Sequence, residues 1–255
     1  MKLSPRAVVM GLGSVPGFVG IGSVPVKAAN PLSEKIVVET PSGRRIEAVL
    51  AIPNAVPAPS VMIIHGSLGA SAWYKSLAEE VAKEGFVGLS IDLFGGEVTT
   101  DPAQGDLLRG KAVGDPEGTN EIIRTWLDWL RRDARTNRKV GIIGFSFGAD
   151  IAMEFAMTAP VEATVLYYGL PVAAPSQFDG FQGAALSHFG KGDRQIGARS
   201  VGLFESRMLE KGKAVEIYWY EAGHSFANPE RPGYDAKAAN VAWRRTLDFL
   251  RVRLG

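Results

Sequence analysis

The stretch KVGIIGFSFGADIAMEF, residues 139–155, decides how the rest of the chain is read. Its first part, KVGIIGF, is a short apolar run without polar alternation, the texture of a strand buried on both faces. Its second part continues as FGADIAMEFAMTA, an Ala-rich segment that reads as a helix. Ser146 stands at the junction, between Gly144 and Gly148, in the pattern G-x-S-x-G. A strand running straight into a helix through such a turn lifts the serine hydroxyl above the strand end. The close-packed backbone there needs small neighbours, here Gly144, Gly148 and Ala149. The pattern alone is weak, because 30 glycines in 255 residues produce it readily by chance.

Working outward, the same alternation of textures extends along the chain. EKIVVETPSGRRIEAVLAIP, from residue 34, reads as a β-hairpin around a Pro-Ser-Gly turn. Buried strands are expected at 60–66, 85–93, 139–146, 163–169 and 183–190, and a last strand at 214–222. Helices are expected at 70–84, 118–135, after Ser146, near 196–211 and over the C-terminal segment. A polar, Gly-rich loop of about two dozen residues is expected before residue 118. No linker, repeat or composition break interrupts residues 34–255, which predicts one α/β domain with a mainly parallel sheet, helices on both faces and an N-terminal hairpin.

Active groups of open parallel sheets gather at the carboxyl ends of the strands. Here those ends carry Ser146, then Asp193 in GKGD, then His224 in EAGHSF. A serine hydroxyl becomes a nucleophile only when an imidazole accepts its proton, and the imidazole needs a carboxylate on its other nitrogen to fix the tautomer. The order Ser, Asp, His along the chain is that of the α/β-hydrolase triad. Backbone N–H groups of Phe147 and of Ser67 or Leu68 are placed to form an oxyanion hole. Leu68, Trp73, Phe94 and Tyr234 are expected to line the substrate pocket alongside Phe147. Asp92 reads as a structural acid that caps its loop, Asp150 as an acid favoured by the helix dipole, and Arg109 as a solvated loop residue. His65 reads as part of a tight turn and His188 as a hydrogen-bonded core histidine.

With HGSLG, IDLFGG, GFSFGA, HFGKGD, YEAGHSFANP and PGYDAKAANVAWRRTLDFL in view, the chain resembles the dienelactone hydrolase family of α/β-hydrolases over roughly residues 34–252. The resemblance implies the α/β-hydrolase fold and maps nucleophile, acid and base onto Ser146, Asp193 and His224. Founding members carry cysteine at the elbow and a glutamate just after the first parallel strand. This chain has Ser146, no cysteine, and His65-Gly66-Ser67 in place of the acid. Asn228 stands where the family places an arginine after the catalytic histidine. These departures point to a serine hydrolase for small carboxylic esters or lactones other than dienelactone, acting through an acyl-serine intermediate.

The segment between Gly169 and Gly183 is too short for a separate lid domain, so an open, small pocket is expected. The competing readings are an acyltransferase or thioesterase with the same triad, and a non-catalytic binding protein on the same scaffold. A net charge of +1 argues against nucleic acid as a partner, and three separated histidines without cysteine argue against a metal site. No cofactor is implied, and the chain is expected to be a monomer or dimer. At the N-terminus, MKLSPR is followed by twenty uncharged residues and then VKA, the basic, apolar, small order of a signal peptide over residues 1–28. The expectation is export to the periplasm or medium with no membrane association after processing; the alternative is a cytoplasmic protein with a disordered tail.

Overall fold

The structure, a computed structural model, describes residues 32–171 and 174–255; the expected signal segment lies outside the described residues. Strands β1 (Leu32–Glu39) and β2 (Arg45–Ile52) form the predicted hairpin. Strands β3 (Ala58–Ile64), β4 (Val87–Ile91), β5 (Thr136–Phe145), β6 (Ala163–Tyr167), β7 (Ala184–Gly190) and β8 (Ala214–Tyr220) follow. The sheet order is β1-β2-β4-β3-β5-β6-β7-β8. Only the pairings of β1 with β2 and of β2 with β4 are antiparallel. The chain reverses its direction of winding between β3 and β5, and this switch point leaves a crevice at the carboxyl ends of those two strands.

Side-chain alternation divides the core between two faces. Val61, Ile63, Ile143 and Val165 pack under α1 (Ala72–Lys83) and α6 (Ala236–Leu254). Met62, Ile64, Ile142 and Leu166 point the other way, under α3 (Pro116–Arg132) and α4 (Phe147–Ala156). Helix α5 (Ala198–Glu210) joins the second face through Phe204 and Met208. Because both faces are covered, the central strands read as continuous apolar runs. Trp126 of α3, fully buried, is a core residue and not part of a ligand platform.

The expected loop before residue 118 contains a helix, α2 (Pro102–Gly114). Asp101 caps it by accepting the Ala103 N–H at 3.0 Å, and Pro102 occupies its first turn. Three glycines weaken its helical signature in the sequence. One of them, Gly105, is required by contact: a Cβ there would lie 3.0 Å from the Ser67 carbonyl oxygen and closer still to Leu68. Helix α2 therefore packs directly on the 66–69 turn.

The far side of the sheet is tied by a buried polar chain. His188 Nδ1 pairs with the Tyr220 hydroxyl at 2.9 Å, and its Nε2 with Thr246 Oγ1 at 3.0 Å. Tyr167 Oη meets the same threonine at 2.7 Å, so β6, β7, β8 and α6 share one network. Burial, with the Arg245 charge adding to it, pushes the His188 pKa down from 6.5 to about 3. The unfolded chain then binds a proton on this histidine that the folded chain refuses. Its contribution to stability is intact above pH 6.5 and is lost as pH falls below it toward 3. Comparing wild type with H188Q in urea titrations from pH 7 to pH 5, we expect wild type to lose ground to the variant as pH falls. The slope should approach about 1.4 kcal/mol per pH unit; parallel stability curves would rule out His188 as the cause.

Candidate active site

Strand β5 ends at Phe145 and α4 begins at Phe147, leaving Ser146 alone to make the turn. It does so at φ 52° and ψ −121°, a left-handed conformation that L-residues rarely adopt. The turn is held by the Ser146 N–H donating to the Tyr167 carbonyl at 2.9 Å and by the Ala149 N–H donating to the Ser146 carbonyl at 2.8 Å. The hydroxyl is thereby raised over the carboxyl edge of the sheet.

The acid and the imidazole arrive there together because their loops are joined. Lys191 N–H donates to the Tyr220 carbonyl at 2.8 Å and Gly192 N–H to the Ala222 carbonyl at 2.9 Å, extending the β7–β8 contact past both strand ends. His224 Nε2 then lies 3.0 Å from Ser146 Oγ, and its Nδ1 lies 2.7 Å from Asp193 Oδ2. The carboxylate on Nδ1 makes that nitrogen the donor and leaves Nε2 free to accept a proton. The Asp193 side chain has no exposed surface. Burial alone would raise its pKa, but hydrogen bonds from His224 and from the Gln195 and Ile196 N–H groups outweigh it and hold the carboxyl below its ordinary value.

These groups open into a cleft of about 860 Å³. The 66–69 turn, closed by Gly69 N–H to the Gly66 carbonyl at 3.2 Å, forms one wall and presents Ser67 and Leu68. The Phe147 N–H, at the first position of α4, has no partner within its own helix. Pro102 and Asp106 of α2 form a second wall, and Asn228, Glu230 and Arg231 of the histidine loop a third. Glu230 also fastens that loop to the start of α1, accepting from Ser71 Oγ at 2.5 Å and from the Trp73 N–H at 3.2 Å.

Of the residues expected around the pocket, Ser67 and Leu68 line this cleft, while Trp73, Phe94, Tyr234 and the Phe147 side chain do not; Phe147 lines a hollow on the other side of α4. Trp73 and Tyr234 line a separate groove between α1 and α6. Phe94 packs behind the site, stacked on the Phe147 ring at 5.7 Å and edge-on to His65 at 4.6 Å. With these aromatics elsewhere, the walls are largely polar, with the hydroxyls of Ser67, Ser71, Thr99, Thr100 and Ser225 among the charged groups of Asp106, Glu230 and Arg231. Arg109 sits on α2 and lines a different hollow. Sequence reasoning missed Tyr74 and Tyr168, both buried and both lining the cleft. Tyr74 stands one residue past Trp73, and it shares the helical stripe of Leu77 and Val81, a signal for its inward direction.

A sheet of this order, with a serine, an acid and a histidine just past the ends of β5, β7 and β8, is the α/β-hydrolase fold. The chain belongs to the dienelactone hydrolase family, whose model matches residues 46–254. It is thereby a hydrolase of carboxylic ester or lactone bonds. It is 27% identical over 239 residues to a carboxymethylenebutenolidase of Pseudomonas sp. (strain P51), covering 86% of this chain and 95% of that one. It is 28% identical to a probable 2-oxo-3-(5-oxofuran-2-ylidene)propanoate lactonase of Bradyrhizobium sp., over 77% of this chain and 84% of the relative. Among solved structures, a dienelactone hydrolase-like promiscuous phosphotriesterase from metagenomic libraries shares the fold with a TM-score of 0.81 at 23% identity. That match covers 89% of this chain and all of the other.

One acid near the elbow departs from expectation. Asp150, in the first turn of α4, was expected to be an anion favoured by the helix dipole. Burial instead raises its pKa to about 7; the Leu170 backbone hydrogen bond and Arg109 lower it less than burial raises it. Desolvation exceeds the dipole because the latter contributes only about 0.3–1 kcal/mol. Since the folded pKa lies above the unfolded one, the folded chain binds the extra proton between pH 3.8 and about 7. Its contribution is full below that window and is lost as pH rises through it. Asp150→Asn should therefore gain on wild type between pH 5 and pH 8.5, by a few kcal/mol at about 1.4 per pH unit up to pH 7. Urea titrations at the two pH values measure this, and a constant gap would show that Asp150 ionises as easily folded as unfolded.

Proposed function

We propose that the protein hydrolyses small carboxylic esters or lactones by nucleophilic catalysis at Ser146. The observation that carries this reading is the unbroken line from Ser146 Oγ through His224 to Asp193, at 3.0 and 2.7 Å. Ser146 Oγ attacks the carbonyl carbon while its proton passes to His224 Nε2. The oxyanion is received by the N–H groups of Phe147 and Ser67. The carbonyl re-forms as the bond to the leaving alkoxide breaks, and His224 returns its proton to that oxygen. A water molecule, deprotonated by the same nitrogen, then attacks the acyl-serine and restores the hydroxyl. Asp193 stabilises the imidazolium at both steps without taking the proton. The open, hydroxyl-lined cleft supports water as the acyl acceptor and a small, hydrated substrate.

A fluorophosphonate probe should label wild type stoichiometrically and leave S146A unlabelled. Turnover of p-nitrophenyl acetate should fall at least about a thousandfold in that variant. Unlabelled wild type, or equal labelling of S146A, would overturn the reading. We further propose export with removal of residues 1–28, on the strength of the basic, apolar and small-residue order of that segment. N-terminal sequencing of the protein from its native host should give a start near Ala29; an intact Met1 would contradict it.

A further inference from the structure

The His65 side chain is fully buried, and each of its ring nitrogens is engaged. Nε2 lies 3.0 Å from the Leu93 N–H, which can only donate, so Nε2 carries no proton. Nδ1 lies 2.7 Å from the Gly66 carbonyl oxygen, which can only accept, so Nδ1 carries the proton and donates it. Both contacts demand the same neutral tautomer. The Gly66 carbonyl belongs to the same planar, trans peptide unit as the Ser67 N–H. In such a unit the two groups point in opposite directions. An imidazole that holds the carbonyl on one side therefore aims the N–H away from itself, and Ser67 lines the cleft that holds Ser146.

The other end of the imidazole is equally fixed. Leu93 opens a loop in which Asp92 accepts the Phe94 N–H at 2.8 Å and also the Gly96 N–H. Phe94 from this loop packs on His65 and on Phe147, whose N–H is the other donor of the proposed oxyanion hole. We propose that His65 is the positioning residue of the oxyanion hole: it locks the Gly66–Ser67 peptide so that the Ser67 N–H faces the reacting carbonyl oxygen. His65 touches no substrate; it acts through one backbone carbonyl. The inference rests on the proposed role of Ser146 for its kinetic consequences, but not for the tautomer and peptide geometry.

Two variants separate positioning from packing. His65→Asn keeps an N–H donor near the Nδ1 place and gives up the Leu93 contact. His65→Gln keeps an acceptor near the Nε2 place and gives up the donor to Gly66. If His65 positions the peptide, kcat on p-nitrophenyl acetate falls about 10- to 100-fold in H65Q with KM little changed, and H65N recovers most of it. The preference for an oxo ester over the matching thiono ester, whose sulfur makes poorer use of the hole, shrinks in H65Q in parallel. Equal losses in both variants, or a loss identical for oxo and thiono esters, would overturn the proposal. So would nitrogen chemical shifts that place the His65 proton on Nε2, a result readable even if fluorophosphonate fails to label wild type and the proposed function falls.

Discussion

Three backbones converge around Ser146 more closely than any side chain would permit, and the site depends on that approach. A Cβ at Gly148 would come within 3.0 Å of the carbonyl oxygens of Ile64 and His65 at the end of β3. A Cβ at Gly144 would strike the first turn of α4, and one at Gly169 the Ser146 carbonyl. Glycine at all three positions lets β3, the elbow and the end of β6 close on one point. The serine at that point holds a left-handed backbone that costs on the order of 1–3 kcal/mol, and the fully buried β3 and β5 cores beside it supply the restraint. Once the elbow seats on β3, the turn that follows β3 lies next to the hydroxyl, and the two N–H groups proposed as oxyanion donors come from adjoining segments.

How far the site was legible follows from the reach of each argument. Ser146, Asp193 and His224 were readable because strand ends in a parallel sheet face one edge, so residues 78 positions apart, such as Ser146 and His224, meet by topology alone. Helix α2 was not readable, because Gly105 satisfies a tertiary contact at the expense of the local helical signal. The pocket aromatics failed for a related reason. Trp73 was expected in the pocket, yet one residue along a helix turns the side chain by about 100°. Tyr74 faces the cleft and Trp73 the groove on α6. Phe94 was placed in the right neighbourhood but on the wrong side of the oxyanion donors, a distinction that periodicity does not carry.

Two aspartates near Ser146 have pKa values shifted in opposite directions, and their surroundings explain it. The Asp193 side chain has no exposed surface, yet three N–H donors converge on it and hold its pKa below the ordinary value. Asp150 has an oxygen, Oδ1, that is buried and meets no donor among the described residues. For a carboxyl, the count of aimed donors outweighs the degree of burial. The negative charge is therefore favoured where His224 meets it and disfavoured at Asp150. An ionised Asp150 would place a negative charge in the first turn of α4, whose N-terminal dipole faces the proposed oxyanion position.

The absence of a carboxylate after β3 has a steric counterpart. A side chain at position 66 would begin 2.9 Å from the Tyr74 hydroxyl and 4.0 Å from Ser146 Cβ. The Tyr74 hydroxyl thus holds the space from which an acid on this turn would reach Ser146. It is itself held by the Gly66 backbone and the Asn228 side chain, and burial pushes its pKa up to about 12, so it stays neutral. The family's acid serves a thiol, which can be deprotonated before it attacks; a serine hydroxyl cannot, and loses its proton only as the new bond forms. A neutral phenol beside Ser146 is compatible with the second chemistry, whereas a buried anion there would oppose the oxyanion. Gly66, Tyr74, Asn228 and Ser146 therefore form one self-consistent set, in which the side chain that meets Ser146 Oγ among the described residues is His224.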